Sequence, residues 1–153
     1  MNCNRDLKNC HYKTAEAAYN PNTQALTAAS SVLTLEGTVL TDTGVGAAIS
    51  GNNIVVRAPG LYYVAADMIA EATAAGIVSL QLNLNGVMLP STQREVTAGA
   101  AGSVSLHTEE ILYIPVACGG AYPVINVAAA AEGAGSATLV TARLVKLAEE
   151  VSA

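Results

Sequence analysis

Three residues near the start of the chain carry the chemistry of metal ligands. Cys3, Cys10 and His11 lie within "CNRDLKNCH". Two thiolates and an imidazole can bind zinc, which takes four such donors in a structural site. The spacing is not that of a standard zinc motif, and the segment supplies no fourth ligand. The thiols can instead pair as a disulfide in oxidising surroundings. They can also stay free in a segment that packs on a partner, and the free form is the reading adopted. Cys118, in "VACGG", reads as a small residue at a turn. No cofactor or metal is expected.

A second group sits in "HTEE". His107 titrates near neutrality. Glu109 and Glu110 follow it, and paired acids can bind calcium with other oxygen ligands. Adjacent strand residues point to opposite faces, so these two do not chelate together. Catalysis finds no constellation. No serine lies in a G-x-S-x-G elbow. Asp42, Asp67 and Glu71 fall in separate elements and form no compelling carboxylate pair. "GAGSATL" is Gly-rich but lies between strands, without the helix that a phosphate cradle needs. The expectation is a protein that is not an enzyme.

The elements around these residues read as strands. In "VSLQLNLN", Val78, Leu80, Leu82 and Leu84 alternate with Ser79, Gln81 and Asn83, the period of a half-buried strand. Asn85-Gly86 then suits a two-residue type I′ turn, and Val87 and Leu89 resume the alternation. Similar runs, separated by Gly-rich turns, fill residues 26–153, with about eight to ten strands. The fold class is all-β, a jelly-roll β-sandwich. "ILYIPV" is apolar on both faces, Ile111, Tyr113 and Pro115 against Leu112, Ile114 and Val116. Such a strand needs cover on both sides. One face can meet the opposing sheet, and another subunit is expected on the other.

Residues 1–25 read differently. Arg5, Lys8 and Lys13 stand against Asp6 and Glu16, so this segment is about +1 and the remainder about −6, from a net charge of −5. It is expected to be an anchoring arm, extended or partly helical around "TAEAAY", ahead of a jelly-roll domain at 26–153. The acidic balance argues against nucleic acid as a partner. No apolar run reaches the roughly 20 residues of a membrane span, so no membrane partner is expected. "MNCNRDLKNCHYK" has no apolar signal core, which implies synthesis in a host cytoplasm.

Residues 45–90 carry a family resemblance. "NIVVRAPGLYYVAADM" followed by "IVSLQLNLNGVMLP" resembles the jelly-roll module of tumour necrosis factor and the globular heads of the first complement component. The shared features are an apolar strand (54–56), the Pro59-Gly60 corner, the Tyr-bearing strand (61–64) and the strand ending at Asn85-Gly86. The resemblance implies a homotrimer. It places Tyr62 and Val64 in the sandwich core, and Tyr63, Ala65, His107, Ile111 and Tyr113 at subunit contacts. Three copies of His107 on a three-fold axis could then bind a metal or anion, or form a pH-sensitive contact; an ordinary exposed strand histidine is the simpler reading. The chain resembles the short, Ala- and Gly-rich versions in bacteriophage structural and spore-surface proteins more than the secreted eukaryotic members. The expected function is a structural protein of a phage virion, a trimeric head fibre or capsid decoration protein docked by its arm. The alternative is a trimeric bacterial or spore surface module binding a glycan or host protein through "TDTGVG", "TAGAAG" and "AEGAG".

Overall fold

The computed structural model describes residues 13–115 and 119–149. Alternation decides most of the chain path, because one strand face can leave water while the other stays in it. The strands are β1 (Ala15–Asn20), β2 (Gln24–Leu26), β3 (Ser31–Val32), β4 (Thr38–Asp42), β5 (Ala47–Ser50), β6 (Asn53–Val56) and β7 (Gly60–Ala72). They continue as β8 (Gly76–Leu84), β9 (Val87–Met88), β10 (Arg94–Ala98), β11 (Ser103–Ile114), β12 (Val124–Ala131) and β13 (Gly135–Glu149). A short 3-10 turn, Pro90–Thr92, separates β9 from β10.

Two antiparallel sheets result. The first runs β11-β7-β13-β1-β4, with β2 beside β13. The second runs β10-β8-β12-β6-β5, with β3 beside β12 and β9 beside β8. Their facing sides enclose one core in which Tyr62 and Leu82 pack among many alanines, including Ala66, Ala70, Ala129 and Ala142. This is the jelly-roll sandwich expected from the strand rhythm. Tyr62 and Val64 are fully buried, as the alternation in "GLYYV" requires.

The Asn-Gly hairpin forms as expected. Asn85 and Gly86 have φ of 51° and 80°, the two positive angles of a type I′ turn. Pro90 ends the pairing by opening the 3-10 turn. A Cβ at Gly86 would meet nothing within 4 Å. Gly86→Ala is therefore expected to lose only the left-handed backbone preference, about 1 kcal/mol in urea denaturation. A loss several times larger would mean that the turn is packed against other parts of the fold.

Three expectations change. "TAEAAY" is not helical: it lies in β1, paired on one side with β13 and on the other with β4. Alanine favours helix in isolation, but two ladders and a buried face outweigh that preference. The boundary at residue 25 shifts with it, since Ala15–Asn20 is an inner strand of the first sheet rather than part of an arm. "SVLTLEG" pairs only at Ser31–Val32. Beyond it, the Asn20 and Gln24 amides hold the Thr34 carbonyl at 3.0 Å each, and Gln24 Oε1 accepts from the Thr34 N–H at 2.6 Å. Side chains thus supplement isolated backbone bonds there, from Leu33 N–H to the Val127 carbonyl and from Leu35 and Glu36 N–H to the Gly51 carbonyl, and strand pairing resumes at β4.

Candidate functional site

The outer face of the first sheet carries the five residues named above for subunit contacts, Tyr63, Ala65, His107, Ile111 and Tyr113. β7 lies between β11 and β13, and its register builds rows across the sheet. Ile111, Tyr63 and Val145 form one row; Glu109, Ala65 and Arg143 the next; His107, Asp67 and Thr141 a third. Because Tyr62, Val64, Ala66 and Met68 point into the core, the odd positions of β7 leave the sheet on the other side.

The centre of this face is a polar network. His107 Nδ1 lies 2.6 Å from Asp67 Oδ1, and its Nε2 lies 3.1 Å from Glu109 Oε2. Arg143 donates to Asp67 Oδ2 at 2.7 Å, and the Thr141 hydroxyl donates to the same oxygen at 3.0 Å. The Tyr63 hydroxyl donates to Glu109 Oε2. The Asp67 hydrogen bond, then the one to Glu109, holds the His107 imidazole above its ordinary pKa. Burial pulls Asp67 upward, but the hydrogen bonds from His107 and Thr141 and the Arg143 charge outweigh it and leave it below the usual carboxylate range. The hydrogen bonds from Tyr63 and His107 likewise lower Glu109.

Apolar side chains frame the network and face solvent. Ile111 is 56% exposed, Tyr113 53% and Leu147 50%; Val145 and Ile69 are also exposed. Tyr63, His107, Ile111 and Tyr113 therefore share one surface. Ala65 shares the face but is fully buried in the single chain, so it offers no contact area. The larger Glu109 and Arg143 flank it in register. Asp67, Thr141 and Arg143 were not anticipated as members of this group. Alternation from Tyr63 was the available signal for Asp67, whereas Thr141 and Arg143 come from a strand 74 and 76 residues away.

The chemistry of the face is ionic pairing. The two carboxylates grip opposite nitrogens of one imidazole, so their oxygens do not converge on a point. Among the described residues, no three His, Cys, Asp or Glu side chains are grouped to hold a metal ion. Glu109 and Glu110 diverge as expected: Glu110 accepts from the Ser91 hydroxyl instead. Cys3, Cys10, His11 and Cys118, with Arg5 and Lys8 of the arm, lie outside the described residues. Lys13, the third basic residue of the arm, helps line a hollow of about 460 Å³ with Thr14, Val145 and Leu147.

One carboxyl pair was missed. Glu16 sits directly across from Asp42 in the β1–β4 register. Its side chain is almost fully buried and takes hydrogen bonds from the Thr43 N–H and hydroxyl, both at 3.3 Å. Burial, and then the charge and hydrogen bond of Asp42, raise its pKa to about 7. The expected recognition loops also divide. "TAGAAG" and "AEGAG" meet β7 at one end, through Ala72 N–H to Gly102 O and Thr73 N–H to Ala134 O. "TDTGVG" lies at the opposite end, where Gly46 O accepts from the Arg57 and Ala58 N–H groups.

No family model and no curated protein matches the chain. Solved structures do match. Eiger TNF from S. frugiperda superposes with a TM-score of 0.70 at 13% identity, over 92% of this chain and 96% of that one. Murine APRIL at pH 5.0 gives a TM-score of 0.67 at 12% identity, over 89% and 100% of the respective chains. The globular domain of zebrafish complement 1qA protein gives 0.62 at 12% identity, over 90% and 100%. The chain has the tumour-necrosis-factor-like jelly-roll fold.

Proposed function

We propose that this protein is a non-enzymatic structural module that works as a homotrimer, in a phage virion, as a head fibre or capsid decoration protein. The observation that carries the self-association is the apolar frame on the outer face of the first sheet. Ile111, Tyr113, Val145 and Leu147 are exposed together on strands already paired on the sheet. Monomeric proteins rarely leave such a contiguous patch open. Each square ångström of it covered by another copy is worth roughly 25 cal/mol. The likeness to tumour necrosis factor and complement domains supports three copies as the number. The virion role draws on the short Ala- and Gly-rich chain and on the basic segment ahead of β1, with Arg5 and Lys8, as the docking element. Three docked copies gain avidity from one another.

Light scattering on the full chain is expected to give the mass of three chains. Ile111→Asp is expected to give one, with an unchanged circular dichroism spectrum, because Ile111 adds little to the core. A single-chain mass for the wild type would overturn the trimer. The virion role is tested by gold-labelled antibody on purified phage particles: label on the capsid is expected, and label only on unassembled protein would overturn it.

A further inference from the structure

The polar network does something that an apolar contact alone would not. Both ring nitrogens of His107 face carboxylate oxygens, at 2.6 Å to Asp67 and 3.1 Å to Glu109. Ionised carboxylates only accept hydrogen bonds, so this arrangement is satisfied when both nitrogens carry protons. The imidazolium and Arg143 then balance Asp67 and Glu109. Loss of one proton leaves two carboxylates against a single cation. In one chain this matters little, because His107 and its partners are still well hydrated, with side chains 38–52% exposed. Under another copy, water leaves and an unbalanced charge becomes costly.

We propose that self-association through this face is proton-dependent: copies hold together while His107 carries both ring protons and separate when it loses one. This inference rests on the reading that the outer face of the first sheet is the subunit contact. The other groups on the face do not provide the switch. Asp67 on β7 and Glu109 on β11 are held below the usual carboxylate range, so both stay ionised from mildly acid to alkaline pH. The hydrogen bond to Glu109 raises Tyr63, also on β7, further from neutrality. Arg143 on β13 and Arg94 on β10, whose charge reaches Glu109, are guanidinium groups and supply fixed cations to the face. Tyr19 on β1 lies beyond Thr141 in register, one strand further out. Among these groups, His107 alone changes charge in the middle of the range. The sign follows from its partners. With water excluded, two carboxylates against a single cation are the costlier state, so assembled chains hold the His107 proton more tightly than free chains and association weakens as pH rises through the imidazole titration.

The test is sedimentation equilibrium of the full chain and of His107→Gln at about pH 6 and about pH 9, values on either side of the imidazole titration. Urea is added at one fixed level, chosen to bring wild-type dissociation into the measurable range. The wild type is expected to bind about tenfold more weakly per subunit at the higher pH, the ratio that one unit of pKa difference between free and assembled chains produces. His107→Gln is expected to associate weakly and to lose most of that pH difference. Glu16 titrates in both proteins, so the comparison removes its effect. Equal wild-type association at the two pH values would overturn the switch and leave the assembly standing. An identical pH dependence in His107→Gln would also overturn it. One chain at both pH values without urea would overturn the assembly and this inference with it.

Discussion

Tyr62→Ala is expected to remove about 4 kcal/mol of folding stability, in the range measured for large aromatic truncations in cores. Tyr62 is among the largest fully buried side chains, and it stands in a core otherwise made of aliphatic and small residues. The alanines around it have no long side chains with which to refill the space, so the cavity term stays large. Its hydroxyl donates to the Ala58 carbonyl at 2.7 Å. Burial also pushes its pKa up to about 12, so it remains a donor at any pH at which the fold is used. Tyr62→Phe separates the two contributions. It keeps the ring and leaves the Ala58 carbonyl unpaired, for an expected loss of about 1–2 kcal/mol. Urea midpoints of the three proteins measure both. If the two substitutions cost the same, the hydrogen bond rather than ring volume governs this part of the core.

Glu16 is expected to make the fold less stable as pH rises through neutrality. Its folded pKa of about 7 lies above the ordinary 4.5. Below that ordinary value both the folded and the unfolded chain hold the proton. Between the two values the unfolded chain releases it and the folded chain keeps it, so stability falls with pH until the folded group ionises as well. The shift corresponds to about 3 kcal/mol. Asp42 is exposed and its charge is partly screened, so about 2 kcal/mol is the expected size. Glu16→Gln keeps the shape and cannot ionise. The stability difference between the two proteins, from urea denaturation at about pH 5 and about pH 8, should change by that amount. His107 titrates in both and cancels. A constant difference would show that water or a shift of β4 relieves the Glu16–Asp42 pair.

The predicted consequences on the outer face depend on a different feature, the long reach of β13. Asp67, His107 and Arg143 come from three strands, and only the β11-β7-β13 order brings them together. Glu16 and Asp42 meet through the β1–β4 pairing, which the basic, alanine-rich start of the chain concealed.

By itself, the sequence determined what local periodicity can determine. Alternation set the inward and outward residues of β7 and β8, Asn85-Gly86 set the hairpin, and the two-sided apolar pattern of Ile111–Ile114 marked a strand with more than one face to cover. These features follow from a side-chain period of two and from the backbone preferences of single residues. Tertiary structure decided the rest. Whether "TAEAAY" became helix or strand depended on partners 19 or more residues away, and the ladders with β4 and β13 prevailed over local propensity. Whether an outward histidine stood alone or between two carboxylates depended on register between strands, and neighbouring residues in the chain carry no information about register.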